Sequence, residues 1–205
     1  MKSSKLISSL ILLFCISLMS SDVSAQFEYF NGSWKAFNHK THMEKLTEDD
    51  DHVVKYTETL ENSLSDNGRN MLVAYSRMDQ MGQQAIQSYN LIKDVEGNIA
   101  GTDVMNTVKY TGRITGNSSE QIISLTGYFE TGSGGTFAME LIYQNTETGK
   151  VLQMKQLLSV GSENPLDQTD INNIYRGMEI ETRPGTGDNA GVTYWQVMYF
   201  KPQSE

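Results

Sequence analysis

Cysteine is almost missing from this 205-residue chain: Cys15 is the only one, and it sits in an apolar N-terminal stretch. If residues 1–25 are a leader, the rest of the chain has no thiol, so disulfides and a cysteine nucleophile are excluded and the core alone must hold the fold. Basic side chains are scarce too. Sixteen Lys and Arg face 25 Asp and Glu, a formal charge of −9. That balance disfavours nucleic acid and anionic membrane surfaces, which are bound by neutralising phosphate with Lys and Arg. After residue 25 no apolar run reaches the about 20 residues that a membrane-spanning helix needs. Histidine ends at His52, so a late histidine haem ligand is excluded. No G-x-S-x-G occurs, and no Ser–His spacing supports a nucleophile.

The residues that remain suggest little metal or phosphate chemistry. His39-x-x-His42 resembles a ligand pair, but residues three apart on a strand face opposite sides unless a bulge intervenes. No second cluster completes a site of three or four ligands. No metal or cofactor is expected, and His39, His42 and His52 are expected at the surface. The acidic run Glu48-Asp49-Asp50-Asp51 lacks the alternating ligands and the glycine of a calcium loop and reads as a solvated turn. Thr131-Gly132-Ser133-Gly134-Gly135-Thr136 is followed by a strand rather than a helix, so it reads as a hairpin and not a phosphate cradle.

The N-terminus reads as an export signal. Lys2 and Lys5 precede a largely apolar stretch over 6–19, and Val23-Ser24-Ala25 offers a small-x-small cleavage pattern. Phe14 before Cys15 argues against a lipid-modified cysteine. The expected organisation is a signal peptide over 1–25 and a single domain over 26–205, placed in a bacterial periplasm or outside the cell. Losing Lys2, Lys5 and Asp22 with the leader takes the charge from −9 to −10. A domain of this length buries roughly 70% of its unfolded surface and needs no staple.

Past the leader, apolar and polar residues alternate in short runs separated by turn chemistry. Strands are expected over 34–46, 53–60, 71–78, 85–93, 122–130, 137–144, 151–160 and 192–200. The stretch 99–114 holds one long strand, or two broken near Gly101 or Gly112. Ser65-Asp66-Asn67-Gly68 is a primed hairpin turn, where positive φ is needed. One segment departs from this pattern. Asp167 as N-cap, Ile171, Ile174, Tyr175 and Met178 at helical spacing, and Gly177 as terminator predict a short helix over 168–176. The rival reading is a strand through Ile174, Met178 and Ile180. Successive strands on short turns make an all-β fold, an antiparallel up-and-down barrel of about eight to ten strands with one short late helix.

Gly32-Ser33-Trp34 at the head of such a chain resembles the G-x-W of calycin barrels, the lipocalins and fatty-acid-binding proteins. The element order is similar to that of lipocalins. The resemblance implies that Gly32 and Trp34 close one end of the barrel, with a basic side chain from a late strand packed across the Trp. Lys201, Arg183 and Arg176 are the candidates, and Lys201 is taken as the barrel-closing one. The T-D-Y-like second lipocalin motif is absent, and so is the helical lid of fatty-acid-binding proteins.

Strand faces that mix Tyr and Met with polar groups suit a cavity for a small hydrophobic or amphiphilic molecule. Tyr75, Arg77, Tyr89 and Met198 are the candidate cavity residues. The leading expectation is an exported small-molecule-binding protein. One alternative is a barrel enzyme of cyclase, isomerase or chromophore lyase type, using strand carboxylates such as Glu58, Glu130 or Glu140. The other is a surface-interaction or adhesion module.

Overall fold

The computed structural model describes residues 25–41, 45–46, 56–129, 135–160 and 192–203. After a single turn of 3-10 helix (Phe27–Phe30), the chain forms β1 (Gly32–Thr41), β2 (Lys45–Leu46), β3 (Tyr56–Ser65), β4 (Asn70–Asp79) and β5 (Gln84–Lys93). It continues as β6 (Asn98–Asp103), β7 (Lys109–Gly116), β8 (Glu120–Phe129), β9 (Gly135–Thr146), β10 (Gly149–Val160) and β11 (Val192–Pro202). Each strand from β3 onward pairs antiparallel with the next, and β11 pairs back onto β1, so the sheet closes on itself. Closure removes the open edges of the sheet. The all-β, antiparallel up-and-down barrel expected from the alternation is the observed fold. Ten strands form the wall, and the short β2 folds back beside the end of β1, pairing His39 with Leu46.

Three boundaries differ most from expectation. The strand expected to end at Leu60 runs on to Ser65. The run 34–46 is not one strand, because β1 ends at Thr41 and β2 returns along it. The break in 99–114 falls at 104–108 rather than at a glycine. Gly101 and Gly112 lie inside β6 and β7, where a Cβ would run into the neighbouring strand. They are glycines for close approach, not for turning. The Ser65–Gly68 turn forms as expected, with Asp66 at φ 50° and Asn67 at φ 52° and the Gly68 N–H donating to the Ser65 carbonyl. The helix expected over 168–176 lies outside the described residues, as do Arg176, Arg183, His42, His52, Glu48 to Asp51 and Glu130.

Inward side chains fill the middle of the barrel. Leu60, Met71, Leu91, Leu125, Leu141, Met154 and Met198 are all at most 2% exposed. Along β9 to β11 the outward positions Ala138, Ile142, Leu157 and Val197 are buried as well.

The 3-10 turn plugs one end. Phe27 and Phe30 are fully buried, and the Phe30 carbonyl accepts from Trp34 Nε1 at 3.2 Å and Asn62 Nδ2 at 2.8 Å. Tyr143 joins them, with ring centroids 5.3 Å from Tyr29, 6.4 Å from Phe30 and 6.5 Å from Trp34. Gly32, at φ 111°, makes the sharp exit from the plug into β1 that an L side chain would strain.

Candidate functional site

The opposite end of the barrel departs from regular wall. β6 is short, and its pairing with β5 begins only at Tyr89↔Asp103. Residues 84–88 of β5 therefore extend past β6, and the 104–108 loop covers that flank. Asp103 holds the loop in place. Its carboxylate accepts from the Thr107 amide at 2.7 Å, the Val108 amide at 2.9 Å and the Thr107 hydroxyl. Partial burial works against the charge, but these hydrogen bonds outweigh it and hold the pKa below the ordinary carboxylate value.

Between the loop and β5 lies a pocket of about 470 Å³ lined by residues 86–89, Asp103, Val104, Met105, Tyr110 and Phe137. Its floor is aromatic. The Tyr89 ring stacks on Phe137 at 5.8 Å and meets Tyr110 edge-on at 5.7 Å, and Tyr110 meets Phe137 at 5.5 Å. Tyr110 can lean across the wall because its cross-strand neighbour is Gly127. A Cβ there would come within 2.5 Å of the Tyr110 ring. The rim is apolar and wet: Ile86, Val104 and Met105 are 60%, 55% and 78% exposed.

Polar groups link the floor to the pocket margin. Gln156 Nε2 donates to the Tyr89 hydroxyl at 2.8 Å, which donates to Gln87 Oε1 at 3.1 Å. Gln196 donates in turn to Gln156 Oε1. Burial pushes the Tyr89 and Tyr110 phenols well above the ordinary tyrosine range, and their mutual proximity adds to the Tyr89 shift. Both rings present neutral hydroxyls at any physiological pH.

A second cluster lies deeper. β1 carries a bulge between Ala36 and Asn38, which turns His39 inward, where it is 1% exposed. This corrects the expectation that His39 is a surface group: the bulge supplies the extra residue that strict alternation lacks. His39 Nδ1 lies 3.1 Å from both oxygens of Glu58, and the Tyr75 hydroxyl donates to Glu58 Oε1 at 2.8 Å. Glu58 is 4% exposed. Of the other strand carboxylates, Glu140 faces outward beside Lys155 at 3.5 Å, so no carboxylate pair forms between β3 and β9. Among the described residues no group of three or more His, Cys, Asp and Glu converges for a metal ion.

The candidate residues from the sequence scatter around these features. Tyr89 is in the pocket floor. Tyr75 is in the buried cluster, and its cross-strand neighbour is the pocket residue Gln87. Arg77 lies over Tyr56, its guanidinium carbon 3.6 Å from the ring centroid, beside a separate hollow of about 260 Å³. Met198 is fully buried, paired across strands with His39 and Met154. At the other end, Trp34 is 3% exposed within the plug. Lys201 lies on the outer surface, its ammonium 4.4 Å over Phe37, so the cation expected across Trp34 is not Lys201. Tyr110, Phe137 and the 104–108 loop were not singled out by the sequence. The signal available was Gly127 paired with an aromatic strand, and it is legible only once the register is known.

No family model matches the chain, and no curated protein matches its sequence. The described helical turn is too short to cross a membrane.

Proposed function

We propose that the protein is exported and carries a small amphiphilic molecule with a flat or aromatic apolar part in the open-end pocket. The observation that supports this reading most is the pocket itself. Its volume falls in the range typical of small-molecule sites, about 300–1,000 Å³, and its composition is an apolar lining with few polar groups. Tyr89, Tyr110 and Phe137 offer ring faces, Gln87 and Asp103 offer acceptors at the margin, and Ile86, Val104 and Met105 form an exposed apolar rim that a ligand would cover. The exported state rests on the leader pattern of residues 1–25.

Native mass spectrometry of the protein purified from its own source without denaturation tests the reading. An added mass that organic extraction removes, and that Met105→Ser together with Val104→Ser abolishes, is the expected result. Both residues are exposed, so the double variant should melt like the parent. A clean apo mass together with no binding of an anilinonaphthalene-sulfonate probe would sink it.

The buried His39–Glu58–Tyr75 cluster favours a second reading, a barrel enzyme in which His39 moves a proton and Glu58 fixes its ring. In that case His39→Gln would abolish turnover of the bound molecule while the extra mass persists. In the carrier reading the bound molecule is recovered unchanged from both proteins.

A further inference from the structure

We propose that Gln26 is the mature N-terminus and that it is closed into a pyroglutamate lactam. The inference rests on the export reading, in which cleavage follows Val23-Ser24-Ala25. The plugged end of the barrel is built around an acylated nitrogen at residue 26. The Gln26 amide N–H donates to Gln121 Oε1 at 3.0 Å. Gln121 is fully buried, and its own Nε2 donates to the Asn117 carbonyl, which leaves Oε1 turned towards Gln26. The other half of the same peptide unit, the Ala25 carbonyl, accepts from Lys93 Nζ at 3.1 Å. That ammonium also lies 5.7 Å from the Phe27 ring.

Cleavage after Ala25 would remove the carbonyl that serves Lys93. It would also replace the amide with an ammonium next to a lysine, a like-charge contact at a site shaped for a neutral group. An N-terminal glutamine can remove the conflict without help. The α-amine nitrogen attacks its own side-chain Cδ, and the N–Cδ bond forms as the Cδ–Nε2 bond breaks. A proton passes from the attacking nitrogen to Nε2, which leaves as ammonia. No oxidant, reductant or second substrate is consumed. The product is again an acylated, uncharged nitrogen that keeps one N–H for Gln121, and no second positive charge stands beside Lys93. Gln26 lines a surface hollow of about 500 Å³ beside Tyr29 and Trp34, so its side chain has room to fold back.

The test is the intact mass of the exported protein, made from the full chain with its own leader in an exporting bacterial host. The expected product starts at residue 26, is lighter than its sequence by one ammonia, and is blocked to N-terminal sequencing. A Gln26→Ala variant should be cut at the same bond, show its full mass and sequence normally. A wild-type product that starts at Gln26 with full mass and a free amine would overturn the lactam and leave export standing. A product that starts elsewhere, or keeps residues 1–25, would overturn the lactam and the export boundary together.

Discussion

Gly127→Ala tests the geometry of the open-end pocket directly. A Cβ added at Gly127 would lie 2.5 and 2.7 Å from two Tyr110 ring carbons and 2.9 Å from a Val108 methyl. Carbon atoms rest about 3.5–4.0 Å apart, so the ring must retreat by about 1 Å. It cannot retreat sideways, because Tyr89 and Phe137 pack against it; the free direction is into the pocket. Overpacking of this kind costs about 1–3 kcal/mol. For a domain of this size that lowers Tm by roughly 2–12 °C. The displaced ring should also weaken binding of an apolar fluorescent probe by about tenfold, equivalent to about 1.4 kcal/mol. Thermal melting and probe titration on the same sample read both effects. A variant that melts and binds like the parent would show that Tyr110 does not lie over Gly127, and the pocket floor would be wrong.

Gly112→Ala should cost more stability than Gly127→Ala, because its Cβ would meet the Ser124 carbonyl oxygen at 1.9 Å and backbone cannot turn aside; the reverse order in urea denaturation would contradict the β7–β8 register. Tyr75→Phe removes a hydrogen bond to a buried carboxylate and should destabilise by about 1.5–3 kcal/mol; a loss too small to resolve would mean that the hydroxyl does not bond Glu58. Asp103 has a depressed folded pKa, so its contribution is complete above the unfolded carboxylate value and disappears as pH falls through the folded one. Asp103→Asn should therefore flatten the acid limb of the stability–pH curve, and an unchanged limb would remove Asp103 as the loop anchor. Tyr89 and Tyr110 are shifted the other way: the unfolded chain releases those protons first, near pH 10, so stability falls as pH climbs past that value. Phenolate absorbance should show these two rings silent until the protein unfolds, and early titration of all ten tyrosines would refute their burial.

The barrel was legible because its evidence is local. Period-2 alternation along residues 71–78 places Met71, Val73 and Tyr75 on one face, and that face is the buried one. Ser65-Asp66-Asn67-Gly68 forms the positive-φ turn its residues allow. Strand ends were less legible where tertiary packing decides them. Gly101 and Gly112 look like breaks in sequence, yet each is there because a neighbouring strand comes too close for a Cβ. The actual break is set by Asp103, whose side chain gathers the amides of Thr107 and Val108.

The site was harder to read because it depends on one inserted residue and on cross-strand neighbours. With strict alternation, inward-facing Ala36 would leave His39 outside. The bulge at residue 37 moves it inside, and only then does it reach Glu58, 19 residues later in the chain. Tyr110 becomes a pocket residue only when β7 pairs with β8 in the register that sets it opposite Gly127. Tyr89 was legible from sequence because it shares a strand face with Gln87 and Leu91, a mix of ring, polar and apolar groups that suits a cavity. Its partners were not found: Gln156 lies 67 residues away, on a strand where an inward glutamine gives no local signal. In a closed barrel the wall is therefore written in the sequence of each strand, while the chemistry inside it is written in the register between strands.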